Sequence, residues 1–287
     1  MRFEAPETVE AAVALLAGEA GTACPLSGGT DLLVQMRSGR IAPDLVVDTK
    51  RIASLREIAR EGGGWRIGAA VSGAEINEQA ELKADWPGLA HAADVVGSTQ
   101  VSGRATLAGN LCTASPAADT VPAMVAAGAL ARIAGPNGKR EIPVEQVPTG
   151  VQKNALAKDE MIEAILLPEK APRSSDCYIR FIPRTEMDIA VVGCGVSVTL
   201  DADGTVTAAK IALGAVAPTV VVVEDGAKAI IGTKLEDAAL DALAKACEAA
   251  CNPIDDKRGT VAFRTEVAGT LARRAVTIAA ERARGVV

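Results

Sequence analysis

Two hydrophobic periods run through this chain, and the place where one gives way to the other divides it. Val9, Ala12, Val13 and Leu16 recur at helical spacing behind Thr8, a good capping residue, and Gly18 closes the run. Thr22 to Leu26 reads as a short strand, and Ser27-Gly28-Gly29 turns the chain. Thr30 or Asp31 then starts a short helix through Leu32, Leu33 and Met36 that Gly39 stops. Leu45 to Asp48 is a second strand, and Ser54 to Ile58 a helical turn. After Gly62-Gly63-Gly64 comes a strand from Trp65 to Val71. Ser72 and Glu75 have capping-box spacing before a helix over 74–82, and Pro87 opens another helix that reaches Val96. Residues 97–110 are small and polar, a long loop of the kind that compact domains keep for function. Asp119 or Thr120 caps an Ala-rich helix to Gly128. A hairpin over 130–144 and a strand over 161–167 complete this part.

The stretch 170–175, rich in Pro, Ser and charge, marks the boundary. Beyond it, 177–182, 189–200 and 206–216 read as three strands, the last two joined by the Asp201-Ala202-Asp203-Gly204 turn. Helices over 224–231, 235–250 and 261–284 follow. Strands gathered first and helices second predict an α+β layer, a three-stranded antiparallel sheet covered by helices. The expected division is 1–172, in two lobes of about 1–60 and 61–172, and 173–287.

Composition narrows the function. At 287 residues, 49% of them apolar, the chain can bury two cores. A net charge of -6 and the lack of a dense Lys/Arg block argue against nucleic acid. No apolar run is long enough to span a bilayer, and Met1 to Pro6 turns acidic at once, so a cytoplasmic location is expected. The single histidine, His91, excludes a zinc site built on several histidines and disfavours a Ser-His-Asp triad. The six cysteines have no Cys-x-x-Cys or ferredoxin-like spacing, so no metal site is expected in this chain. Cys247 and Cys251 lie one helical turn apart, a spacing that suits a packed helix face. Aromatics are scarce, so a planar ligand would lie mostly against aliphatic side chains and backbone.

Two stretches carry the candidate chemistry. Leu26-Ser27-Gly28-Gly29-Thr30-Asp31-Leu32 and Thr106-Leu107-Ala108-Gly109-Asn110 each bring small residues to a helix start. Glycines let backbone amides approach a phosphate closely, and Ser27, Thr30, Thr106 and Asn110 add side-chain donors. One Gly-Gly turn alone is as well explained by a tight strand-helix connection; two such loops predict jaws on either side of one phosphate-bearing cofactor. Neither is Gly-x-Gly-x-x-Gly, and no Gly-x-x-x-x-Gly-Lys-Ser/Thr or Gly-x-Ser-x-Gly occurs. No acid-base team stands out, which suits a protein whose cofactor carries the chemistry.

These residues resemble a known family. Leu26 to Leu33 is similar to the Ala-Gly-Gly-Thr-Asp-Leu-Leu stretch of the FAD-binding medium subunits of molybdenum hydroxylases, the xanthine dehydrogenase and carbon monoxide dehydrogenase relatives. Ala105 to Leu111 resembles their Ala-Thr-x-Gly-Gly-Asn-Leu, Ser115 to Asp119 their Ser-Pro-x-x-Asp, and Arg184 with Asp188-Ile189-Ala190 their Arg-x-x-x-Asp-Ile-Ala. The resemblance covers essentially the whole chain, in order.

It implies a two-lobed FAD-binding domain of the vanillyl-alcohol-oxidase/p-cresol-methylhydroxylase type followed by a smaller α+β domain. It further implies an electron-transfer role. The flavin would take electrons from two [2Fe-2S] clusters in a small partner subunit, the molybdenum cofactor sitting in a large one, and pass them to an external acceptor. A dimer of heterotrimers is the usual assembly of such subunits. Carried over by position, Ser27 to Leu32 and Thr106 to Asn110 would hold the pyrophosphate and ribityl chain, and Asp119 the adenosine part. Val96 and Ile162 would line the cofactor, and Arg180 would stand near the flavin where the family has lysine. Ala108 replaces the usual glycine; if that position needs a positive φ, or clearance that a Cβ would fill, alanine costs about 1 kcal/mol or more. Tyr178 could cover a ring face or pack at the domain seam. A self-sufficient flavin oxidoreductase of the same fold and a non-catalytic FAD-binding scaffold stay open as alternatives.

Overall fold

Thr8 caps the first helix as its position requires: its hydroxyl accepts from the Ala11 amide at 3.1 Å in the computed structural model, which describes residues 1–286. That helix, α1 (Val9–Gly18), lies between β1 (Arg2–Glu4) and β2 (Ala23–Leu26), and α2 (Leu32–Arg37) leads to β3 (Leu45–Asp48). The three strands make a parallel sheet in the order β1-β3-β2. β1 is too short and too exposed to show a pattern in the sequence. Leu16 and Leu45 are fully buried in this lobe, each contributing about 1.5–3 kcal/mol of hydrophobic stabilisation.

The second lobe is a five-stranded antiparallel sheet with helices inserted into it. β4 (Ile58–Glu61) and β5 (Gly64–Gly68) precede α3 (Gly73–Glu78), α4 (Ala80–Asp85), α5 (Pro87–Asp94), α6 (Thr99–Ser102), α7 (Leu107–Thr113) and α8 (Thr120–Ala126). The chain returns through β6 (Leu130–Gly135), β7 (Gly138–Pro143), the small hairpin β8 (Pro148–Gly150) and β9 (Lys153–Asn154), and β10 (Met161–Leu167). The sheet order is β4-β5-β10-β6-β7. Ser72 and Glu75 form the expected capping box. The helix expected over 74–82 is broken at Gln79, whose ψ of 94° is extended. The stretch 97–110 is less open than its composition suggests, because α6 and the first turn of α7 fall inside it.

The C-terminal layer contains β11 (Ser174–Phe181), β12 (Val192–Leu200), β13 (Val206–Gly214) and β14 (Val221–Val222), antiparallel in that order. The sheet therefore has four strands, not the three that the sequence predicts. The fourth is two residues long, too short for any alternation to reveal, and pairs with β13 at Leu213 and Ala212. α9 (Glu224–Ile230), α10 (Asp237–Ala249) and α11 (Val261–Ala283) cover one face. The buried stripe of α11 is Ala268, Leu271, Ala272, Ala275, Val276 and Ala279, small enough for the helix to lie close on β11 and β12.

The two parts share a core. All seven residues of α8 are buried, and the helix rests on β12 and β13. Tyr178 and Ala212 pack in the same apolar cluster as Trp65, Leu111 and Met124. A polar clasp reinforces this seam. The buried carboxylate of Asp176 accepts from the Gly88 and Leu89 amides, at 3.0 and 2.8 Å, at the start of α5.

Candidate functional site

The first jaw is the turn from β2 into α2. Gly29 has φ +81°, a conformation that a Cβ would strain, so the chain reverses there without penalty. Gly28 answers a different need. A Cβ on it would lie 2.0 Å from the Arg104 carbonyl oxygen, so only glycine lets the two loops touch through their backbones. A second tie runs beside it: the Thr113 hydroxyl donates to Asp31 Oδ2 at 3.1 Å, joining the turn to α7.

The second jaw is anchored on α3. The Gly73 amide donates to the Ala105 carbonyl, and Ser72 and Thr106 form an isolated bridge. Thr106 is the N-cap of α7, its hydroxyl oxygen accepting from the Gly109 amide at 2.9 Å, so its own proton stays free. Ala108 is an ordinary residue of that helix, buried at 4% exposure. The position does not call for a positive φ, so the backbone cost expected for replacing glycine there does not arise. Asn110 is oriented by Thr120, whose amide and hydroxyl both donate to Asn110 Oδ1, at 3.2 and 2.7 Å. That network assigns the oxygen and leaves the Asn110 NH₂ to face other partners.

Between the jaws lies a cleft of about 480 Å³, within the usual range of cofactor sites. Of the residues singled out from sequence, Leu26 to Leu32, Val96, Thr106, Ala108, Gly109, Asn110 and Ile162 all line it. Leu107 does not; it is buried in the core behind α7. The third wall has no counterpart in the sequence reading. It consists of Asn154 at the end of β9 and the segment that follows, including Leu156, Lys158 and Glu160, with Gln35 and Ile41 also lining the cleft. Asn154 pins that wall to α7 by donating to the Cys112 carbonyl at 2.9 Å. No glycine, cap or repeat marks this segment, so spacing could not have found it.

Asp119 and Arg180 lie together, away from the lining of the cleft. Tyr178 Oη donates to Asp119 Oδ1 at 2.7 Å, and the Arg180 guanidinium donates to Asp119 Oδ2 at 2.8 Å. Both carboxylate oxygens are thereby engaged, and Asp119 gives α8 no side-chain cap. Burial pushes the Asp119 carboxyl up from its usual range, while Arg180 and Tyr178 act in the opposite sense. Burial, reinforced by the neighbouring carboxylate, keeps Tyr178 protonated, so it is the donor. Tyr178 is 2% exposed, which fits core packing and leaves little of it to cover a ring.

The cleft's charge is modest. Lys50 Nζ donates to the Ser27 carbonyl at 3.2 Å and to Asp48 Oδ1 at 2.7 Å, placing one cation behind the glycine turn. A hydrogen bond from Arg140 holds Glu160 below the usual carboxylate range. Burial pushes the Cys112 thiol up to about 12, so it stays neutral in the wall. Glycines that admit backbone, two neutral side-chain donors and a concave apolar floor make a holder for an elongated phosphate-bearing group. Among the described residues, no cluster of His, Cys, Asp or Glu could hold a metal ion, and no helix is long and apolar enough to cross a membrane.

Comparison with known proteins bears on what is held. Residues 1–170 match the family model described as the FAD-binding domain in molybdopterin dehydrogenase, and residues 177–279 the one described as the CO dehydrogenase flavoprotein C-terminal domain. The chain is 33% identical to the carbon monoxide dehydrogenase medium chain of Hydrogenophaga pseudoflava, over 97% of each chain. It is 28% identical to the putative xanthine dehydrogenase FAD-binding subunit of Escherichia coli, over 91% of this chain and 89% of that one. A solved structure of the Hydrogenophaga pseudoflava carbon monoxide dehydrogenase lacking the Mo-pyranopterin moiety of its cofactor superimposes with a TM-score of 0.93. It covers 98% of both chains at 32% identity.

Proposed function

The chain belongs to the family of FAD-binding medium subunits of the carbon monoxide dehydrogenase and xanthine dehydrogenase type, and from that premise we propose that its cleft holds FAD between the two glycine-bearing jaws for electron transfer. It is thus an oxidoreductase subunit of a molybdenum hydroxylase complex. The observation that carries the assignment to the cleft is the junction of Gly28 with Arg104, which closes two loops over one concave, donor-bearing site.

Loop 27–32 with Thr106, Ala108, Gly109 and Asn110 lines the pyrophosphate and ribityl part of FAD, and Val96 and Ile162 supply apolar walls. Arg180 and Asp119 form a buried ion pair at the seam with the C-terminal layer and are not among the residues that line the cleft. When bound, the flavin supplies the redox chemistry. The chain's own residues bind it and orient it. The division between the FAD-binding part and the C-terminal part falls at 172/173, in the connection between β10 and β11. The partners are a large subunit carrying the molybdenum cofactor and a small one carrying two [2Fe-2S] clusters, from which this subunit's flavin takes electrons for an external acceptor. The assembly is a dimer of these heterotrimers.

The test is isolation of the native complex through this chain, with metal and flavin analysis. Co-purification of two further subunits with molybdenum, iron and FAD is expected. A flavin-containing chain that purifies without partners and oxidises a small substrate unaided would contradict the role.

A further inference from the structure

Thr49 carries no mark in the sequence, yet its side chain decides which way a hydrogen bond at the cleft runs. It follows β3, is fully buried, and lies behind the glycine turn without lining the cleft. Thr49 Oγ1 is 3.2 Å from the Leu26 carbonyl oxygen and 3.0 Å from Ser27 Oγ. A carbonyl cannot donate, so the contact with Leu26 uses the one proton Thr49 has. The contact with Ser27 is then a hydrogen bond only if Ser27 is the donor. Ser27 lines the cleft, so its single proton is spent on Thr49 and only lone pairs remain for a ligand. Lys50 holds the Ser27 carbonyl at the same time, which fixes the residue at both of its polar ends.

We propose that Thr49 is a positioning residue of the cofactor cleft, making Ser27 a hydrogen-bond acceptor for a ribityl or ribose hydroxyl of the dinucleotide and not a donor to its phosphates. This rests on the FAD reading above and reverses the role that the sequence suggests for Ser27. A pyrophosphate diester carries no proton near neutral pH, so its oxygens and the Ser27 lone pairs would only repel. A sugar hydroxyl has the proton that Ser27 lacks. Side-chain donors for phosphate stand on the facing jaw: the Thr106 hydroxyl proton is uncommitted, and Thr120 turns the Asn110 oxygen away from the ligand. The polar side chains of the two jaws therefore differ in sense: Ser27 accepts on the β2 side, and Thr106 and Asn110 donate on the α7 side.

The test titrates FAD into the full-length chain, wild type and the variants Ser27→Ala, Thr49→Val and Thr49→Ser, by flavin fluorescence, with inorganic pyrophosphate and ADP as competitors. Wild type should bind FAD. Ser27→Ala should weaken FAD about five- to tenfold, the worth of one neutral hydrogen bond, and leave competition by pyrophosphate unchanged. Thr49→Val should weaken FAD similarly, and Thr49→Ser should restore it. An ADP affinity that falls with Ser27→Ala identifies the ribose hydroxyl; an unchanged one identifies the ribityl chain. A loss of pyrophosphate affinity in Ser27→Ala, equal to the loss for FAD, would overturn the proposal, as would wild-type FAD affinity in either Ser27→Ala or Thr49→Val. If Thr49→Val does not fold, Ser27→Ala and Thr49→Ser decide alone. Wild-type chain that binds no FAD would instead overturn the FAD reading and the proposal with it.

Discussion

Gly28 and Arg104 meet through backbone alone, with 2.0 Å between the Arg104 carbonyl oxygen and the place where a Cβ on Gly28 would stand. The two jaws are therefore set by one residue's lack of a side chain. Gly28→Ala should push them apart, weakening FAD by tenfold or more, and lower stability by about 1–3 kcal/mol, as overpacking does. Thermal denaturation and a flavin titration check both.

The Tyr178, Asp119 and Arg180 cluster is a buried charge held by its partners. Asp119→Ala should cost about 3 kcal/mol or more, because it strands the Arg180 guanidinium in the seam. Asp119→Ala combined with Arg180→Met should recover part of that loss. Tyr178→Phe, which removes only one hydrogen bond, should cost about 1 kcal/mol. Denaturant unfolding of these variants and of Arg180→Met alone, beside wild type, measures the coupling.

Much of the site was legible because glycine placement and caps are written locally. Ser27 to Asp31 and Thr106 to Asn110 announce a turn and a helix start wherever they occur, and the structure brings both to one cleft. The third wall was not legible. Asn154 to Glu160 reach the cleft only because β10 sits at the centre of its sheet and the β8–β9 hairpin packs on α7, relations between residues distant in sequence. The pairing of Asp119 with Arg180 spans 61 positions and leaves no trace in spacing. Ala108 looked like a defect in sequence because the family resemblance set glycine there; the local helix shows an ordinary position.

The same limits governed the fold. Thr8 and Ser72 fixed two helix starts, because capping is a contact between near neighbours, whereas α7, capped by Thr106, begins inside a stretch that reads as a loop. β1 and β14, three and two residues long, exist through pairing with β3 and β13 and have no period of their own. The single helix expected over 74–82 failed at Gln79, a residue whose type gives no warning of an extended ψ.

Thr120 acts on the cleft through Asn110. Thr120→Val keeps the shape of this buried side chain but removes the shorter of the two bonds that orient the carboxamide. FAD affinity should fall about fivefold. The melting temperature should move little, since the Thr120 amide still donates to Asn110. Paired isothermal titration and thermal melts separate the two effects.

Glu160 gives a pH signature. Its bond to Arg140 depresses its folded pKa below the ordinary 4.5, so the stability it adds is present above that value and disappears as pH falls through the folded pKa. Glu160→Gln should be less stable than wild type by about 0.5–1 kcal/mol at pH 7. The gap should close below about pH 4. Urea unfolding across pH 3–7 traces it.

The most direct test of the central claim is the flavin content of the purified chain after reconstitution with FAD and removal of free cofactor, compared with Gly28→Ala. The structure predicts about one FAD per chain, released on denaturation, and a clear deficit in the variant. A wild-type chain that remains free of flavin, or a Gly28→Ala chain that holds it equally well, would contradict the assignment of the cleft.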